Sequence, residues 1–156
     1  MGKRIVIGVI ILSIILILLV YNYTNNVNAL KDIEIKVIDL NVTEAKLTHC
    51  KLNIIVNITN PAGLKISDLS SNFKIYISKI YMGHGNFSKV TILPNSYQLT
   101  TIKIILYYDG LYELAIELIK ELISGEKITL TLNGNLNEQI LFGLISITKN
   151  FNITYS

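Results

Sequence analysis

The chain has 156 residues, 51% of them hydrophobic and 16% charged, with a formal net charge of +3. This apolar content excludes a disordered polar chain, and a single cysteine, Cys50, excludes a disulfide scaffold. Setting aside Lys3 and Arg4 leaves 12 basic against 11 acidic groups, which is no electrostatic footprint for nucleic acid.

Met1-Gly2-Lys3-Arg4 places two positive charges directly before Ile5–Val20, a run with no charge and only Gly8 and Ser13 to dilute it. Residues 5–23 would span about 28 Å as a helix, close to the ~30 Å hydrocarbon core of a bilayer. Tyr21 and Tyr23 then fall where an aromatic belt sits, and Lys3 and Arg4 keep residues 1–4 in the cytoplasm. The segment reads as an uncleaved transmembrane signal-anchor, with the lipid bilayer as its partner and the rest of the chain outside the cytoplasm. A cleaved signal peptide is the competing reading, with Val27 and Ala29 as the small residues before a cut. A buried core helix is disfavoured because the run has no polar face. Met1-Gly2 is no myristoylation signal, since Val6 stands where Ser or Thr is needed. Residues 24–31, rich in asparagine, are expected to be a short polar tether.

Residues 32–156 alternate with a period of two for most of their length. Ile33, Ile35 and Val37 alternate with charged residues; the phase slips at Val37-Ile38 and resumes at Leu40 and Val42, which predicts a bulge. Leu52, Ile54, Val56 and Ile58 form the next apolar face, ended by the turn residues Asn60, Pro61 and Gly63. Phe73, Ile75 and Ile77 form another, and Gly83-His84-Gly85 is expected to break the chain, with His84 at a hairpin tip. Asn86–Ile92 is expected to be a short strand, Pro94-Asn95-Ser96 a turn, and Ile102–Leu106 a strand. Leu111, Leu114, Ala115, Leu118, Ile119 and Leu122 recur at helical spacing, which predicts one amphipathic helix ended by Gly125. Ile128–Leu132 and Ile145–Tyr155 supply the last two strands. About seven strands with one helix predict a mainly β protein, an antiparallel immunoglobulin- or fibronectin-like sandwich.

No catalytic or metal-binding constellation appears. HExxH, CxxC, the G-x-S-x-G elbow and the P-loop are all absent. His49 and Cys50 are adjacent, but neighbours on a strand point to opposite faces and cannot meet as base and nucleophile. His84 between two glycines is weak as a metal ligand, and the scattered acids Asp39, Glu44, Asp68 and Asp109 read as solvated charges. The sequence therefore predicts no cofactor, no metal and no enzymatic activity.

The repeated chemical signal is the N-x-[ST] triplet, at Asn22, Asn41, Asn57, Asn86 and Asn152. Asn57 and Asn152 fall on the polar faces of their strands, where a glycan acceptor must lie. An asparagine-rich composition with no glycan is the alternative, and Asn22 lies too near the membrane for modification.

The stretch Leu52–Pro61, ending in Asn60-Pro61, resembles the strand and Asn-Pro turn of type-2 late-embryogenesis-abundant proteins with the water-stress and hypersensitive-response (WHy) domain. Phe73–Ile80 followed by Tyr81–Gly85, then Pro94 before the Tyr97–Leu106 strand, a helix such as Leu111–Ile123 and Leu132-Asn133-Gly134 extend the resemblance over residues 32–156. Ala62 stands where the family has a second asparagine. The resemblance implies a sandwich domain, a non-enzymatic role in desiccation and stress tolerance, and a single N-terminal membrane span. It carries over only Asn60 and Pro61, in a structural role: Asn bonds the backbone beyond it and Pro fixes the turn. The sequence thus predicts a membrane-anchored extracytoplasmic sandwich that shields or binds. Alternatives are a structural part of a cell-surface assembly, in contact with envelope proteins, or a module for an apolar ligand.

Overall fold

The computed structural model describes residues 2–46, 48–107 and 129–156, together with Glu117, Lys120, Glu121 and Ser124. One helix, α1 (Gly2–Asp32), precedes seven strands among the described residues. They are β1 (Glu34–Ala45), β2 (His49–Asn60), β3 (Ile66–Ile77), β4 (Ile80–Ile92), β5 (Ser96–Tyr107), β6 (Leu130–Ile140) and β7 (Ile145–Tyr155). The order β1-β2-β5 makes a three-stranded sheet and β4-β3-β6-β7 a four-stranded one, with every pairing antiparallel. β4 pairs with β3 rather than with β5, so the division is three plus four instead of the four plus three of an immunoglobulin constant domain.

The inner faces follow from the alternation. Leu52, Ile54, Val56 and Ile58 of β2 are buried, while Lys51, Asn53, Asn57 and Thr59 turn outward. From the facing sheet, Ile75, Ile77, Leu130, Leu132 and Leu136 close on them. Burial of this many aliphatic side chains, at roughly 1.5–3 kcal/mol each, is the main stabilising term. The phase slip at Val37-Ile38 is a bulge: the β1–β2 register shifts between Val37 and Asp39, and again between Val42 and Glu44.

Three expectations need correction or restriction. Gly83-His84-Gly85 does not break the chain, and His84 does not tip a hairpin; all three lie inside β4, with His84 opposite Lys74. The turn is at Ser78-Lys79, where both residues take positive φ (47° and 72°). A two-residue hairpin needs that conformation, but the usual Asn-Gly signature is missing, so the sequence hides it. The break read at the glycines is instead a bulge, at which Gly83 has φ 141° and the β3–β4 register shifts. Residues 24–31, read as a tether, belong to α1 without interruption, and Ala29 and Leu30 enter the core. The helix expected over Leu111–Ile123 lies outside the described residues, although Glu117, Lys120, Glu121 and Ser124 are helical.

The topology gives the sandwich two poles. The β2–β3, β4–β5 and β6–β7 connections and the junction of α1 with β1 lie at one, which we call the near pole. Contacts across it agree: Asn95 N donates to Ala62 O at 3.0 Å, and α1 packs on β3, β6 and β7. The β1–β2 and β3–β4 turns lie at the far pole.

Candidate functional site

The outer face of the four-stranded sheet is built of asparagine. Register places Asn86, Asn72, Asn135 and Asn150 side by side, one on each of β4, β3, β6 and β7. The next row reads His84, Lys74, Asn133 and Asn152. Neighbouring strands lie about 4.8 Å apart, so each row is a regular line of polar heads. Asn137 continues the face: its Nδ2 donates to Asn135 Oδ1 at 3.1 Å, and its Oδ1 accepts from Thr148 Oγ1 at 2.8 Å. Carboxamides both donate and accept without carrying charge. Such a face can hold water or hydroxyl groups in quantity, with Lys74 and His84 as its two ionisable side chains in the second row.

A shallow open groove crosses this face, lined by Asn72, Lys74, His84, Asn133 and Asn150, with Phe73 and Phe151 at its floor. Phe73 determines its shape from below. It is buried, and its register partners on both sides are glycines, Gly85 and Gly134. A Cβ at Gly85 would sit 2.6 Å from the Phe73 ring, and one at Gly134 would sit 2.3 Å from the Asn72 carbonyl oxygen. The ring therefore lies where the Gly85 side chain has been left out, 6.4 Å from the ring of Phe151, while Gly134 lets the β6 backbone come close to β3. The sequence marked Gly83 and Gly85 as chain breakers; only register reveals that Gly85 makes room.

At the near pole, Asn60 is fully buried and ties the β2–β3 and β4–β5 loops together. Its Nδ2 donates to Leu64 O at 2.7 Å and to Leu93 O at 3.1 Å, and its Oδ1 accepts from Ala62 N at 3.1 Å. Pro61 and Gly63 are exposed in the loop that these bonds close. Nearby, α1 is clasped. Lys149 Nζ on β7 donates to the Lys31 carbonyl and, at 2.5 Å, to the Ile33 carbonyl. A cation there satisfies orphan carbonyls at the negative end of the helix. Burial lowers the Lys149 pKa, against the opposing charges of Asp32 and Glu34.

The remaining titratable groups do not converge. Cys50 is in the core and His49 faces outward beside Tyr107, with ring centroids 5.7 Å apart. Among the described residues, no group of three His, Cys, Asp or Glu side chains could hold a metal ion. Glu44 is held down to about 2 by Lys46 and Lys51, which bracket it on the surface. Glu138 is the group that sequence reasoning missed. It points inward from β6, 3% exposed, and burial raises its pKa to about 7. Its Oε1 accepts only a long bond from Ser67 N (3.4 Å), and its Oε2 has no partner. The sequence reading ended this strand at Leu132, whereas β6 runs on to Ile140 and carries Glu138 to an inward position.

The triplet asparagines separate by sheet. Asn41 and Asn57 lie on the outer face of the three-stranded sheet, Asn86 and Asn152 on that of the four-stranded one. Asn41, Asn86 and Asn152 are exposed; Asn57 is half-buried, with a buried Oδ1 that has no partner. Asn22 lies on the exposed part of α1.

These elements define a two-sheet antiparallel β-sandwich carried on a long apolar helix. No protein-family model matches the chain, and no curated protein matches it either. Among solved structures, it is similar to the Arabidopsis thaliana protein AT1g01470, with a TM-score of 0.55 at 17% identity over 78% of this chain and 80% of that one. A protein from Archaeoglobus fulgidus aligns with a TM-score of 0.48 at 12% identity, over 79% of this chain and 97% of that one. At2g46140.1, assigned as a late-embryogenesis-abundant protein, aligns at 0.44 and 15% identity, over 92% of this chain and 84% of that one. The first of these likenesses establishes a shared sandwich fold; the other two, below 0.5, carry no argument.

Proposed function

We propose that this protein is a membrane-anchored, non-enzymatic sandwich domain that holds a hydrated asparagine face outside the cytoplasm, in a protective role. The observation that carries the reading is α1. Every large apolar side chain from Val6 to Val20 is exposed, between 44% and 68%, on a helix long enough to cross a bilayer. In water such a surface is untenable, while in lipid it is satisfied. Lys3 and Arg4 at its start favour an N-terminus in the cytoplasm. The non-enzymatic part is supported by the divergence of His49 and Cys50 and by the carboxamides that make up most of the two rows. The protective role rests on the resemblance of residues 32–156 to WHy domains.

The test is protease accessibility on intact cells, with a tag after Ser156 and membrane fractionation. The expected result is a membrane-bound tag that external protease removes. A tag that is soluble after lysis, or membrane-bound but protected, overturns the reading.

A second reading, a part of a surface assembly, is favoured by β5. This edge strand turns Tyr97, Leu99, Ile105 and Tyr107 outward, each about half exposed or more. Self-association of the detergent-solubilised protein in sedimentation would support it, and a monomer would sink it.

A further inference from the structure

The β6–β7 hairpin ends in Leu141-Phe142-Gly143-Leu144, and its tip is built against the usual chemistry of turns. Leu141, Phe142 and Gly143 have φ of 52°, 59° and 84°. Three successive positive φ values call for Gly, Asn or Asp, because a bulky side chain is strained there. Backbone bonds close the turn all the same, from Gly143 N to Ile140 O and from Leu144 N to Leu141 O, each 3.2 Å. Phe142 is fully exposed (105% of its reference area) and Leu144 is 83% exposed. A sequence that needed only to reverse the chain would place polar residues at both positions.

The tip lies at the near pole, where α1 leaves the sandwich. The two other connections of that pole also present aliphatic side chains, Leu93 at 60% and Leu64 at 38% exposure. The Lys149 clasp permits a comparison of reach. From Lys149 back to Ile145 is four residues of strand, about 13 Å. From Lys31 back to Tyr23 is eight residues of helix, about 12 Å. The two segments are therefore of equal length measured from the clasp, and the second ends at the tyrosines read as the aromatic belt.

We propose that Phe142 and Leu144 insert into the interface of the same bilayer leaflet that α1 enters on the sandwich side, giving the domain a second lipid contact beside its anchor. The occupant is lipid, because the tip is continuous with the face from which the apolar helix emerges and carries no charge of its own. This inference rests on the reading of α1 as a membrane span.

The chain contains no tryptophan, so single-tryptophan variants report without background. The full-length protein is reconstituted in phosphatidylcholine vesicles as Leu12→Trp, which reports α1, and as Phe142→Trp, which reports the tip. Each is titrated with aqueous iodide and with brominated lipid. In the expected result, brominated lipid removes most of the emission of both variants. Phe142→Trp also shifts to the blue relative to detergent-free urea-unfolded protein and resists iodide. If Leu12→Trp is quenched by lipid while Phe142→Trp is open to iodide and untouched by lipid, the tip proposal fails and the anchor stands. If neither is quenched by lipid, the anchor reading fails and takes the proposal with it. Because residue 142 touches nothing in the sandwich, its replacement leaves the fold intact, which an unchanged melting temperature verifies.

Discussion

Asn60 shows how much one carboxamide can organise. It sits at the end of β2 with no exposed surface, and three loop backbone groups depend on it. Asn60→Ala should cost roughly 2–3 kcal/mol, seen as a lower midpoint in urea, because it leaves Leu64 O, Leu93 O and Ala62 N without their partner. Asn60→Asp should be worse despite its matching shape: it keeps the acceptor, loses both donors and buries a charge. Glu138 makes a prediction of opposite character. Its folded pKa, about 7, stands above the ordinary 4.5. The folded state therefore binds the proton more tightly than the unfolded state between those values, and stability falls as pH rises through that window. The loss should be on the order of 3 kcal/mol, complete above pH ~7 and absent below ~4.5. Glu138→Gln should flatten the dependence of melting temperature on pH over this range. Glu44 acts in the other direction: its pKa is depressed to about 2, so its contribution is present above 4.5 and fades as pH falls towards 2.

Among the elements, the junction of α1 with the sandwich was the least legible in the sequence. The asparagines at 25, 26 and 28 suggested solvated linker, yet the segment is helical and its last turn buries Ala29 and Leu30. Local composition could not reveal this, because the clasp comes from Lys149, 118 residues away. Lys149→Met should change the unfolding free energy by no more than about 1 kcal/mol while raising amide exchange across Ala29–Ile33, since the cation caps one helix end and little else. Equal exchange in both proteins would show that the apolar contacts alone hold the joint. The strands, by contrast, were legible wherever one face is core. β2 was legible because Leu52, Ile54, Val56 and Ile58 hold every inward position, with Ile55 the one apolar residue on the outer side, whereas β4 was cut in two because Gly83 forms a bulge and Gly85 makes room for the Phe73 ring. The candidate face was half legible. Alternation turned Asn133 and Asn152 outward, but that four asparagines align across four strands is a property of register, which no single strand carries.

For the whole molecule, the three-plus-four sandwich was foreseeable in class and strand number, because burial of one face sets a period of two and turns fix the length of each strand. The helix belongs to this architecture as well as to any membrane. A fragment beginning at Asp32 should be less stable than one beginning at Asn25 by about 3 kcal/mol, since it loses the burial of Leu30 and Ala29 along with the capped turn. Urea denaturation of both fragments checks this, and equal midpoints would mean that α1 contributes nothing to the core. A cut after Ala29, the alternative raised by the leader, would remove one of these two buried side chains. The unbroken passage of α1 into the core has a mechanical corollary. With no swivel between shaft and head, rotation of the helix about its own axis turns the asparagine rows around the compass, and a sideways push on the head becomes a tilt of the shaft. Bearing and inclination are coupled in one rigid lever, so whatever fixes the helix against its neighbours also decides which way the polar face looks.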